Sequence, residues 1–243
     1  MKTKCLLLVS LLSIGFLFNA TAQNPKKYAV IITGDSPGDG YQGQFANPNS
    51  DYDEFWNDTY LMWEMLVTKF GFDDSKVFVL YAGGQDQNIA NPTIASRYTV
   101  SNANNLMGWN LPKITDYPAS LTNVQNVLGG LQSGSNGMPQ VLGDDFLFVF
   151  TFGHGHFTSL SGTPPFNGVL ELLGDDVITD TELSGLINNI PANKRLIWMQ
   201  NCTGGDFAAE FSNNNNYFIA ATMPYPTGGL ANPADNLFFG TGD

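Results

Sequence analysis

The sequence is poor in cysteine, histidine and basic residues, and it lacks the common cofactor-binding motifs. Of its 243 residues, two are cysteine and two are histidine. The chain has 10 Lys and Arg residues and 22 Asp and Glu residues. A formal net charge of −12 disfavours contact with phosphate backbones, so we expect no nucleic-acid partner. The chain has no phosphate-binding glycine loop, no dinucleotide fingerprint and no zinc-type ligand spacing. We therefore expect no cofactor.

The first 22 residues have the pattern of an export signal. A basic start precedes an apolar run over 6–18, and Ala20-Thr21-Ala22 provides small residues for cleavage. That run is too short for a membrane span and no later stretch is long enough, so we expect no stable membrane insertion. The mature chain is predicted to be a single domain over 23–243, exported to the periplasm or secreted.

Cleavage of that signal would remove Cys5 and leave Cys202 as the only thiol. An odd cysteine in an exported protein forms an intermolecular bridge, is buried and inert, or is reactive. Cys202 follows the apolar run 196–199 and precedes Gly204-Gly205, a pattern typical of the carboxyl end of a buried strand. Open α/β sheets bind ligands at such ends, which favours the reactive thiol.

Short apolar runs alternate with helical patterns along the chain. Strands are predicted over 26–34, 76–83, 146–152, 194–202 and 217–223. Helices are predicted from a cap near 50–53 to Gly71, over 121–132 and over 179–190, with a short one over 205–212. This alternation predicts an α/β fold with a mostly parallel central sheet and helices on both faces. Segment 35–50 is predicted to be a loop, and 84–120 either a substrate-binding flap or a surface excursion.

Two of the predicted strands end in residues suited to nucleophilic catalysis. One runs into Gly153-His154-Gly155 and the other ends at Cys202, close to a predicted helix start that would favour thiolate. Attack of sulfur on an acyl carbon needs a proton donor for the leaving amine and N–H donors for the oxyanion. His154 can supply the proton, and Gly155 lets its own N–H approach a substrate carbonyl. His156 adds a second imidazole but no third ligand, so no catalytic metal is expected.

In their order along the chain, YAVIITG, FLFVFTFGHG, LIWMQNCTGG and YFIAATMP resemble the legumain-like cysteine peptidases of the caspase-like group. In that group one apolar strand ends in His-Gly, and a second ends in cysteine within a Gln/Glu-x-Cys-x-Gly frame. The resemblance covers about 28–227. It implies a caspase-like three-layer sandwich and an endopeptidase acting on peptides or proteins. It also implies that Cys202 is the nucleophile, that His154 is the general acid–base, and that the N–H groups of Gly155 and Cys202 form the oxyanion hole.

The sequence departs from the legumain pattern in two respects. Legumains carry an arginine after the first strand that shapes the pocket for the residue before the cut, whereas 35–56 contains no Arg or Lys. A preference for asparagine or aspartate is therefore not implied, and acidic loops would favour a basic residue instead. The terminal helix that completes the second face in the family is missing, so we expect a C-terminal truncation or a trimmed lineage. Two other functions stay open: an inactive caspase-like binding module and a cysteine amidohydrolase.

Overall fold

The computed structural model describes residues 24–34, 53–84, 86, 112–158 and 167–222. The predicted export signal and the predicted loop 35–50 lie outside these residues, as does most of 84–120. The described residues form, in chain order, β1 (Lys27–Thr33), α1 (Asp53–Thr68), β2 (Val77–Tyr81), α2 (Leu121–Ser133), β3 (Phe146–Gly153), β4 (Gly155–Thr158), β5 (Asn167–Glu171), β6 (Val177–Thr179), α3 (Asp180–Asn188), β7 (Lys194–Asn201) and β8 (Asn216–Ala220). None of the described helices is both long enough and apolar enough to cross a bilayer.

The five strands predicted from the apolar runs form one central sheet in the order β2-β1-β3-β7-β8. All of its neighbours pair in parallel, with Val30 opposite Val149 and Val149 opposite Ile197. The inner strands are continuous apolar runs because both faces of a parallel sheet are covered by helices. The prediction of a mostly parallel sheet is confirmed.

Helices cover the central sheet on both faces. On one face α1 packs Leu66 into a cluster that contains Ile31 of β1. On the other face Leu128 of α2 and Ile187 of α3 pack with Val149 of β3. The path from β1 to β2 runs along the sheet in the opposite direction to the paths from β2 to β3 and from β3 to β7. Right-handed crossovers therefore place α1 on one face and α2 and α3 on the other. The molecule is a three-layer α/β sandwich, as predicted.

Two of the helices begin where their sequences indicate. The Ser120 side chain accepts a hydrogen bond from the N–H of Asn123 and caps α2. Thr179 and Glu182 form a reciprocal capping box at the start of α3. These caps pair N–H groups that the first turn of each helix would otherwise leave without a partner.

A second, smaller sheet lies beside the carboxyl ends of β1 and β3. Its strands β4, β5 and β6 are antiparallel, and none of them is among the strands predicted from the sequence. Strand β4 starts directly after His154, and the Glu171 N–H of β5 donates to the His154 carbonyl at 3.1 Å. A Cβ placed on Gly34, just past β1, would lie 2.0 Å from the Glu171 carbonyl oxygen. The small sheet therefore packs closely on the carboxyl edge of the large one.

The predicted helix over 205–212 is wrong. After Cys202 the chain makes a single 3₁₀ turn over Gly204–Phe207, followed by turns. Phe207 and Phe211 have the four-residue spacing of an amphipathic helix, but each is buried in the core beneath an irregular loop. One 3₁₀ turn has only a small aligned dipole. The prediction that a helix start stabilises the Cys202 thiolate is therefore wrong as well.

Candidate active site

Strands β3 and β7 bring the two predicted catalytic residues to one edge of the sheet. They are adjacent and parallel, and their register ends with Phe152 opposite Gln200 and Gly153 opposite Asn201. His154 and Cys202 each follow the last paired residue of their strand. Both therefore lie at the carboxyl edge, at the equivalent position of neighbouring strands, where parallel sheets form their ligand sites.

Helix α1 covers the sheet face beside this edge. The ring of Phe55, in the first turns of α1, meets the Phe152 ring edge-on with centroids 4.9 Å apart. It meets the His154 ring in the same way at 5.3 Å. Since side chains alternate along a strand, Phe152 and His154 share this face, and His154 lies against the start of α1. Cys202 is partly buried.

Gly155 packs directly against the backbone that carries the thiol. A Cβ at this position would lie 2.5 Å from the carbonyl oxygen of Cys202 and 2.8 Å from Nδ2 of Asn201. No side chain fits there, so the glycine is required by the contact between β4 and the end of β7. The sequence analysis assigned Gly155 to the approach of a substrate carbonyl, and the contact that the structure describes at this glycine is with protein backbone.

The ladder between β4 and β5 also fixes the direction of the Gly155 N–H. Because the Glu171 N–H donates to the His154 carbonyl, His154 and Glu171 form a hydrogen-bonded pair. Gly155 lies opposite Leu170 in the next pair, which is of the non-hydrogen-bonded type. In a regular antiparallel ladder its N–H then points away from β5 and is not used in the pairing of β4 with β5.

Hydrogen bonds fix the turn that follows β7. The Thr151 hydroxyl donates to Oδ1 of Asn201 at 3.0 Å, and Nδ2 of Asn201 donates to the Cys202 carbonyl at 2.9 Å. The Thr222 hydroxyl donates to the Asn201 carbonyl at 3.1 Å. Thr203 has a left-handed backbone with φ of 59°, which is uncommon for a β-branched residue and turns the chain sharply after the thiol. Cys202 is thus presented on a constrained turn.

His156 lies on β4 and is directed toward β5. Its Nδ1 is 2.8 Å from Oε1 of Glu171, and its side chain is about half exposed. Its carbonyl accepts a hydrogen bond from the Thr203 hydroxyl at 2.9 Å. His156 therefore connects β5 to the turn after Cys202.

Sequence reasoning missed Asp58, a completely buried carboxylate in α1. Its Oδ2 lies 3.5 Å from Nε2 of Gln200, two residues before Cys202. Burial raises the pKa of Asp58 from 3.8 to about 7, because the charged form is disfavoured away from water. The sequence does carry a signal for this burial. Asp58 has helical spacing from Phe55 and Met62, which places all three side chains on one face of α1.

Within the described ranges no three His, Cys, Asp or Glu side chains are grouped so as to hold a metal ion. The arrangement at the carboxyl edge instead combines a thiol, an imidazole, a backbone N–H and a buried carboxylate. Three of these are the parts required for acyl transfer through a cysteine.

Comparison with known proteins does not assign this chain to a family. No protein-family model matches the sequence, and no curated protein matches it. Among solved structures the chain is similar to the crystal structure of protein GSU0716 from Geobacter sulfurreducens, with 14% sequence identity and a TM-score of 0.41. The match covers 73% of this chain and 51% of that one, so the chain spans about half the length of that protein.

Proposed function

We propose that this chain is an exported, legumain-like cysteine endopeptidase in which Cys202 is the nucleophile and His154 the general acid–base. One observation carries the proposal: His154 and Cys202 follow the paired residues Gly153 and Asn201 at the ends of adjacent parallel strands. A thiol and an imidazole on neighbouring strand ends can act on one substrate carbonyl without any rearrangement of the sheet. The export pattern over 1–22 supports action on peptides outside the cytoplasm.

The reaction follows from the chemistry of these groups. The Cys202 thiolate bonds to the carbonyl carbon, and the carbonyl electrons move to an oxyanion that accepts hydrogen bonds from the N–H groups of Gly155 and Cys202. The His154 imidazolium gives its proton to the leaving amine as the C–N bond breaks, which leaves a thioester. Neutral His154 then takes a proton from a water molecule that attacks the thioester, and the acid and the thiolate are released.

The packing of Gly155 supports the oxyanion hole in this scheme. Its backbone lies close to Cys202, and the ladder turns its N–H away from β5. Backbone donors held by a sheet need no reorganisation when charge develops on the substrate oxygen. A peptide amide placed over Cys202 would meet a donor that is already oriented.

Digestion of a mixed peptide library tests the proposal. Wild type should cut peptide bonds, Cys202→Ala should cut none, and His154→Ala should be slower by at least about 100-fold because it lacks the proton donor. His156→Ala is the matched control, since it removes the same side chain two positions further on, and it should retain activity. Cleavage that persists in Cys202→Ala would refute the proposal. Hydrolysis of non-peptide amides alone would indicate an amidohydrolase, and no turnover at all would indicate a binding module.

A further inference from the structure

The buried carboxylate of Asp58 has few hydrogen-bond partners among the described residues. Its Oδ1 accepts no hydrogen bond from any residue that the structure describes, and its Oδ2 reaches only Gln200 at 3.5 Å. That distance is at the outer limit of a hydrogen bond. Buried carboxylates are costly unless they are paired, so one left in this state beside a candidate active site calls for a functional reason.

Three basic groups of the described chain donate hydrogen bonds to backbone carbonyls rather than to Asp58. Lys27 donates to the Phe70 carbonyl at 2.7 Å, and Lys194 donates to the Asn214 carbonyl at 2.8 Å. Arg195 donates to the carbonyl of Ile190 on the opposite face of the sheet. The raised pKa of Asp58 agrees with this distribution, because burial causes the shift and no described cation opposes it. Among the described residues, therefore, no cation is paired with Asp58, and a cationic ligand could take that place.

The position of Gln200 along β7, below Cys202, suits one kind of ligand. Gln200, the neighbour of Asp58, lies two residues before Cys202, which is about 6.6 Å along a strand. A substrate residue whose carbonyl is attacked by Cys202 could reach this depth only with a long side chain. Lysine and arginine have a long apolar stem that can be buried and a cationic head at its end.

We propose that Asp58, assisted by Gln200, recognises the cationic side chain of the lysine or arginine residue immediately before the cleaved bond. This inference rests on the proposed function and names its substrate class. A guanidinium offers five N–H donors in a planar fork, so it can supply both the missing charge and a donor for Oδ1. It also agrees with the absence of Arg and Lys from 35–56, where legumains carry the arginine of an acid- or amide-recognising pocket.

The test compares peptide substrates that differ only in the residue before the cleaved bond. Arginine and citrulline have nearly the same shape, but citrulline is uncharged. Wild type should prefer arginine by about 100-fold in kcat/KM, as expected when one partner of a buried charge pair is removed. In Asp58→Asn this ratio should fall to about one. Asp144→Asn is the matched control, since it removes one acidic charge from an exposed site at the opposite end of β3 and should keep the ratio.

The outcomes separate this inference from the proposed function. Cleavage at equal rates after arginine and citrulline would overturn the inference and leave the peptidase intact. If no peptide is cleaved, the proposed function fails, and binding of the two peptides to Cys202→Ala decides the inference. Tighter binding of the arginine peptide, lost when Asp58→Asn is added, would support it, and equal affinities would overturn it. If Asp58→Asn does not fold, the arginine-to-citrulline ratio of wild type decides in the same way.

Discussion

Gly155→Ala tests the packing at the centre of the candidate site. The added methyl group would lie 2.5 Å from the Cys202 carbonyl oxygen and 2.8 Å from the Val169 carbonyl oxygen. Both are backbone atoms of paired strands or their ends, so neither can swing away as the tip of a side chain could. The strand ends that carry His154 and Cys202 would have to separate.

The size of the effect follows from the closeness of these contacts. Overpacking a well-packed site by one methyl group costs about 1–3 kcal/mol of unfolding free energy, and a contact this short with backbone belongs at the upper end. Gly185→Ala is the matched control, because that glycine lies exposed in α3 with no heavy atom within 4 Å of the added Cβ. An alanine there should stabilise the helix by about 0.5–1 kcal/mol.

Urea unfolding measures the loss of stability. The rate at which a peptidyl ketone alkylates Cys202 measures the displacement of the candidate catalytic groups. Gly155→Ala should lose about 3 kcal/mol and react at least about 100-fold more slowly, since the thiol, the imidazole and the oxyanion donor are displaced together. Gly185→Ala should gain stability and react at the wild-type rate. Wild-type stability and reactivity in Gly155→Ala would refute the close packing of β4 against the end of β7.

Two further predictions concern buried polar groups. The folded-state pKa of Asp58, about 7, exceeds its ordinary value of 3.8, so its effect on stability is fully favourable below pH 4 and is lost as the pH rises through 7. Urea unfolding at pH 4.5 and 8 should show wild type losing about 3 kcal/mol relative to Asp58→Asn, since most of the pKa shift lies between these two pH values; a pH-independent difference would contradict this. Asn201→Ala should lose about 2–3 kcal/mol by the same measurement, because it leaves the Thr151 hydroxyl without its acceptor and releases the Cys202 carbonyl. The exposed Asn214→Ala should stay within about 0.5 kcal/mol of wild type, and equal effects of both substitutions would count against the proposed role of Asn201.

The sheet could be predicted from sequence because its strands are buried on both faces. Runs such as 146–152 are apolar almost throughout, and a helical pattern lies between successive runs. Right-handed crossovers then leave few arrangements of the strands. The meeting of His154 and Cys202 at one edge followed from the same logic, since both residues come directly after runs of this kind.

Other features have no distinct local signal. Phe207 and Phe211 show helical spacing, yet that spacing also arises when an irregular loop buries two aromatic rings in the core. Strands β4 and β6 have four and three residues, too few for a periodic pattern. The helical face of Asp58 predicts its burial, but its closeness to Gln200 depends on how α1 packs on β7, which no local pattern gives.

The proposed mechanism requires that Cys202 reacts as a nucleophile activated by the imidazole of His154 on the neighbouring strand. Intact-protein mass spectrometry after incubation with a peptidyl acyloxymethyl ketone measures this directly. We predict a single adduct on Cys202 in wild type, none in Cys202→Ala, and formation at least about 100-fold slower in His154→Ala. The absence of an adduct between about pH 5 and 8, or equal rates in wild type and His154→Ala, would contradict the account.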